Sequence, residues 1–242
     1  NIKGTNMKYK IPLPGRYLVL LLFIFAFQSV SFSQTGPGGI GNSTTNKLWL
    51  RADSITGLND GDGVQTWPDV SGNGNDAVQN TAANQPSFDS LSVNGLPAVY
   101  FDDQDAPNTD YYSDVYDIED NNMTVITVFY HYHEDGNRPK TGPIWFDKGS
   151  QSTYYGGFYP YEVDGNQYLI VDDSYFLNKK SDFPKESWHI TNISRSNSLT
   201  RIWKNNSLSD ETGVNSVTPT KFRIGNRVID NIHYFGKISE II

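Results

Sequence analysis

The chain has 242 residues, 19 basic and 27 acidic, a net charge of −8 and no cysteine. The acidic balance makes nucleic acid and anionic membrane surfaces poor partners. The missing thiols exclude disulfides, thiolate metal sites and cysteine nucleophiles.

Met7 is followed by Lys8, Lys10 and Arg16, an apolar run from Tyr17 to Phe27, and small residues around Ser31 and Ser33. This order predicts a secretory signal peptide over 1–33, cleaved near Ser33, with the six residues before Met7 read as translation upstream of the start. The run falls short of the roughly 18 to 20 residues a spanning helix needs, so no membrane insertion is expected once it is removed. Cleavage leaves 209 residues with 15 basic against 27 acidic, a net charge of −12. A domain of that size buries roughly 70% of its unfolded surface and can stand without staples. Secretion or display on the cell surface follows, and a cysteine-free exported chain suits a bacterial envelope.

Residues 34–46 are rich in Gly, Ser and Thr and read as a linker. Gly36, Gly38 and Gly41 spell G-x-G-x-x-G, but no strand precedes them and no helix follows, so the dinucleotide reading fails. From Lys47 onward short β-type runs alternate with turn clusters, and no helical period is sustained. The clearest strand spans Met123 to Tyr132. Ile126, Val128, Tyr130 and Tyr132 share one face and Val125, Thr127 and Phe129 the other, which predicts a central strand covered on both sides. Further strands are expected at Leu48 to Arg51, Ala98 to Phe101, Pro143 to Phe146, Tyr168 to Val171, Trp188 to Ser194, Leu199 to Lys204, Lys221 to Ile224 and Tyr234 to Ile242. The prediction is an all-β, two-sheet antiparallel β-sandwich over 47–242. Ser196-Asn197-Ser198 marks one hairpin turn, and Asn205-Asn206 holds another, since Asn tolerates left-handed backbone angles.

Three segments carry a family likeness. Leu48-Trp49-Leu50-Arg51-Ala52-Asp53, the loop Thr66 to Ala77 and the closing Phe235 to Ile242 resemble the LamG-like branch of the concanavalin A-like lectin/glucanase superfamily. The resemblance implies a jelly-roll fold. It also implies that the final strand continues into further residues in a longer multidomain protein.

Within the loop, Asp69, Asn73, Asn75 and Asp76 place hard oxygen donors close together, with Gly72 and Gly74 allowing sharp turns. Calcium takes six to eight such oxygens, and the resemblance implies a structural calcium with Glu240 as a distant ligand. The same residues equally serve as Asx turns that satisfy loop backbone. Asn59-Asp60-Gly61-Asp62-Gly63 is a weaker cluster of the same chemistry. His131 and His133, two apart at a strand end, could hold a transition metal but lack a third ligand by spacing.

Catalysis finds less support. Glycanases of this fold place paired acids along one strand, and Glu162-Val163-Asp164-Gly165-Asn166-Gln167 begins such a pattern and then supplies amides. Its central Gly-Asn suggests a hairpin. No nucleophile elbow or phosphate loop is present. Aromatics make up 14% of the chain, and the dense group around Tyr154, Tyr155 and Tyr159 is the expected glycan platform, because sugar C–H faces stack on flat rings. Trp49, Trp67, Trp145, Trp188 and Trp203 sit in apolar strand patterns and are expected in the core. The sequence therefore points to a non-catalytic extracellular binding or adhesion module that takes a glycan or cell-surface component. A structural or protein-binding spacer is the alternative, and a glycoside hydrolase of the same fold is the enzyme class left open.

Overall fold

The computed structural model of the chain describes residues 36, 39, 41–102, 110–117, 122–132, 145–147, 157–163, 166–170, 176–177, 186–196, 199–213, 222–227 and 232–242. The chain divides into units 1–34 and 35–242, and all described residues belong to the second. Among them, no helix is long and apolar enough to cross a membrane.

The strands, in chain order, begin with β1 (Leu50–Arg51), β2 (Thr66–Trp67), β3 (Ala77–Val78), β4 (Ser87–Val93), β5 (Leu96–Phe101), β6 (Tyr112–Tyr116), β7 (Met123–His131), β8 (Trp145–Asp147) and β9 (Gly157–Val163). They continue with β10 (Asn166–Ile170), β11 (Phe176–Leu177), β12 (Trp188–Ser196), β13 (Leu199–Lys204), β14 (Ser207–Gly213), β15 (Phe222–Ile224), β16 (Asn226–Arg227), β17 (Ile232–His233) and β18 (Gly236–Ile241). One sheet of eight strands runs β14-β13-β12-β7-β18-β5-β4, with β1 also paired to β18. A second of six runs β11-β10-β9-β8-β15-β6. The pairings are antiparallel, and the chain is an all-β two-sheet sandwich of jelly-roll type.

Period-two alternation decides which side chains meet the core. On β7, Val125, Thr127 and Phe129 are buried while Ile126, Val128 and Tyr130 are only half-buried. The central position predicted for this strand holds, since β12 and β18 flank it. Its outer face, however, is covered less than expected. On β18 the register shifts between Ile238 and Glu240, so Ile238 and Ile241, three apart, both turn inward. Phe101, Tyr112, Phe222, Ile224, Ile193 and Ile202 join them in one core drawn from both sheets. Trp67, Tyr112, Phe101 and Tyr234 form a chain of rings through it, with successive centroids 6.3, 6.2 and 5.8 Å apart. The buried Tyr112 hydroxyl donates to the Val64 carbonyl at 2.8 Å, and that of Tyr234 donates to the Tyr130 carbonyl at 2.7 Å, so burying them strands no donor.

Two-residue turns set the register of the hairpins. Asn205 and Asn206 have φ of 46° and 67° and join Lys204 to Ser207, as the sequence predicts. Asn94 and Gly95 do the same between Val93 and Leu96, with φ of 52° and 79°. β12 runs on to Ser196 and pairs it with Leu199, which shortens the expected three-residue turn to two. β9 and β10 pair as a hairpin with Glu162 opposite Gln167, so this acid stretch folds back on itself instead of lining one strand.

The tryptophans depart from expectation. Trp67 is fully buried, but Trp49, Trp188 and Trp203 are half-buried. Trp188 and Trp203 alternate with the buried His189 and Ile202, which places them on the outer face of the large sheet. The Trp145 side chain lies outside the described residues.

Candidate functional site

The loop after β2 closes on a single carboxylate. Asp69 Oδ1 accepts the backbone N–H groups of Trp49 and Ser71, each at 2.9 Å. Its Oδ2 accepts the Ser71 hydroxyl at 2.8 Å and the Asn75 N–H at 2.9 Å. A carboxylate offers about four lone-pair positions, and these four donors take them. Asp76 Oδ1 in turn accepts the Asp69 N–H at 2.8 Å. Asn73 and Asn75 donate their side-chain amides to the Asn46 and Lys47 carbonyls, both at 2.8 Å. Glu240 accepts the Trp49 indole N–H at 2.6 Å, across a stack in which the Arg51 guanidinium lies 5.2 Å from the Trp49 ring centre. The loop is thereby clasped to residues 46–49, the segment that leads into β1. A cation at Asp69 would compete with all four donors, and among the described residues no three His, Cys, Asp or Glu side chains gather as a metal group.

A different feature occupies the outer face of the large sheet. Trp188 lies opposite Tyr130, Tyr130 opposite Lys237, and Lys237 opposite Tyr100. Residues directly paired across antiparallel strands share a face, so β12, β7, β18 and β5 present these four in one row. Tyr132 and Phe235 fill in beside the row. The Tyr130 ring centre lies 5.6 Å from Trp188 and 5.0 Å from Tyr132. Tyr132 lies 4.9 Å from Phe235 and 5.9 Å from Tyr100. Six residues from separate parts of the chain thus form one largely aromatic surface, with Phe235 buried and the other rings half-buried.

Charged groups bracket this surface. Lys237 Nζ sits 5.8 Å from the Tyr132 ring centre and 2.5 Å from Asp89 Oδ2, with both side chains about one-fifth exposed (22% and 21%). Partial burial pushes the Asp89 carboxyl up, but Lys237 and the Ser92 hydroxyl hold it below its ordinary value overall. Burial pulls the Lys237 ammonium down, yet Asp89 and Tyr132 leave it above its usual range. At the other end Glu186, with φ of 55°, leads through Ser187 into Trp188. A left-handed conformation at a residue other than glycine is strained and is held in place by its surroundings. Burial raises the Tyr130 phenol, and the nearby Tyr132 and Glu186 raise it further.

The described residues also line a cleft of about 740 Å³ beside Leu48, Tyr116, Phe222 and Ile242. Its two charged lining residues, Lys47 and Arg195, are both cations.

The expected platform at Tyr154, Tyr155 and Tyr159 lies outside the described residues: Tyr159 is in β9, but its side chain is not described. The His133 position and the His131 side chain lie outside them as well. The loop residues Asp69, Asn73, Asn75 and Asp76 do come together, as a hydrogen-bonded clasp. Missed in the sequence were Tyr100, Tyr130, Tyr132, Trp188, Phe235 and Lys237 as a group. The one available signal was the shared face of Tyr130 and Tyr132 on β7.

No protein-family model matches the sequence, and no curated protein matches it. Solved structures do. Domain 4 of AbnA, an extracellular GH43 arabinanase from Geobacillus stearothermophilus solved with arabinotriose, aligns with a TM-score of 0.54 at 13% identity, over 80% of this chain and 89% of that one. Trypanosoma rangeli sialidase in complex with sialic acid aligns at 0.48 and 10% identity, over 94% of this chain and 36% of that one. An alginate lyase from Corynebacterium sp. aligns at 0.32 and 14%, over 64% and 74%. At 13% identity the arabinanase domain shares the β-sandwich fold with this chain.

Proposed function

We propose that this chain is an exported, non-catalytic carbohydrate-binding module of the LamG-like kind, and that it holds its glycan against the outer face of the large sheet. One observation carries the reading: the surface built from Trp188, Tyr130, Tyr132 and Tyr100, where half-buried rings meet solvent beside a lysine and a carboxylate. Sugar rings present C–H faces to the electron-rich faces of aromatic rings, and their hydroxyls need charged or polar partners at the edge. The face supplies both. The arabinotriose bound to a solved domain of the same fold supports a sugar ligand, and the leader-like sequence after Met7 supports export. The acid stretch at Glu162, folded across a hairpin, favours binding over hydrolysis.

Isothermal titration of the purified chain with neutral oligosaccharides tests the reading. Trp188→Ala should cost about 2 kcal/mol, roughly thirtyfold in affinity, as truncating an anchoring tryptophan does. Binding that survives this change undiminished would place the ligand elsewhere, and no binding to any glycan would leave the spacer reading.

A further inference from the structure

We propose that this face selects neutral glycans, with Lys237 and Asp89 engaging adjacent sugar hydroxyls while Glu186 turns away acidic sugars. The assignment rests on the carbohydrate reading above and specifies which carbohydrate.

Lys237 stands within the aromatic row, and its charge is met by Asp89 from β4. The ammonium has three donors. Asp89 and Tyr132 engage it, and its capacity is not exhausted. Asp89 Oδ2 takes Lys237 and the Ser92 hydroxyl, whereas among the described residues Oδ1 has only a long contact of 3.3 Å from the Leu91 N–H. One donor and one acceptor thus stand side by side next to two rings. A pair of neighbouring hydroxyls, one accepting from Lys237 and one donating to Asp89, matches that arrangement, and charge-assisted bonds of this kind are the stronger ones.

The charge around the row points the same way. Glu186 flanks the Trp188 end, whereas Asp89 at the Tyr100 end is balanced by Lys237, and Glu240, further along β18, lies in register with Arg51 of β1. Asp89 neutralises the lysine in the row, so among the described residues of the row an incoming carboxylate meets no unpaired cation. The whole chain carries −8. Like charge set against a binding surface acts as a filter against wrong partners. A neutral pentose or hexose chain passes that filter, and a uronate chain does not.

The test uses the whole chain, with neutral oligosaccharides and hexuronate oligosaccharides of equal length, by calorimetry at low and high salt. The uronate should bind at least about tenfold more weakly at low salt, with the gap narrowing as salt screens the carboxylates. Asp89→Asn and Lys237→Met should each weaken neutral binding about tenfold, Lys237→Arg should retain it, and Glu186→Gln should strengthen uronate binding. A thermal melt of each variant separates lost contacts from lost fold. If the unaltered chain binds no glycan, the carbohydrate reading falls and this assignment with it. If Trp188→Ala abolishes binding while folded Asp89→Asn and Lys237→Met stay within about twofold of the parent, or if uronate and neutral chains bind alike, the assignment alone falls.

Discussion

Asp69 shows how one side chain can hold a long loop. Its four bonds join the loop to Trp49, twenty residues earlier, and to Ser71 and Asn75 within the loop. Asp69→Ala leaves those donors unpaired in a half-buried setting and should destabilise the domain by about 3 kcal/mol in denaturant titration. Asp76→Ala removes one bond and should cost about 1 kcal/mol. The melting temperature should be the same with calcium as with a chelator, because the acceptors are already engaged. A rise with calcium would show the ion displacing the donors, since a ligand of the folded state must stabilise it. The sequence made the cluster legible but not its partners. Asx turns and calcium loops draw on the same residues, and the Trp49 N–H that Asp69 accepts is brought in only by tertiary structure.

His233 offers a pH test at the same scale. Burial lowers its pKa from the ordinary 6.5 to about 4. The unfolded chain takes up the proton first, so stability is full above about pH 6.5 and falls as the pH drops towards 4. The slope in that window is about 1.4 kcal/mol per pH unit. Urea unfolding of the parent and of His233→Gln across pH 7 to 4 should show the parent losing the extra stability that the variant keeps. Parallel curves would contradict the assignment.

At the scale of elements, the strands legible in the sequence were those whose faces differ. β7 and β13 alternate clearly, and Leu199–Lys204 came out to the residue. β4 reads Ser-Phe-Asp-Ser-Leu-Ser-Val, with little apolar contrast, and only its pairing with β5 makes it a strand. The Asn94-Gly95 turn between them was a local signal strong enough to have exposed both. The bulge in β18 left no mark in the sequence, because it answers to the register of β7.

One glycine in β18 links an element to the site. A Cβ at Gly236 would collide with the Tyr130 carbonyl and the Tyr234 hydroxyl. Those two groups are bonded to each other beneath the aromatic row. Gly236→Ala should therefore cost about 2 kcal/mol or more through overpacking and should weaken glycan binding as Tyr130 shifts. Thermal melts and calorimetry on the same sample check both effects, and an unaltered melt would contradict the close approach.

Over the whole molecule, the sandwich was legible and the aromatic outer face was not, and contact order explains the difference. Strand alternation is written locally. The aromatic face draws on positions 100, 130, 132, 188, 235 and 237, which only the sheet order β12-β7-β18-β5 lines up. Local density of tyrosine drew attention to 154–159, where the side chains lie outside the described residues. The tryptophans misled for a related reason. A half-covered outer face uses the same residue types as a core, and their phase relative to His189 and Ile202 decides between the two.

The most direct test of the account is a nuclear magnetic resonance titration of the intact chain with a neutral oligosaccharide, following the Trp188 indole N–H and the Tyr100, Tyr130 and Tyr132 ring protons. The account predicts saturable shifts concentrated on those four residues and on Lys237. Shifts confined to the Asp69 loop, to the Lys47 and Arg195 cleft or to 154–159, with the outer face silent, would contradict it.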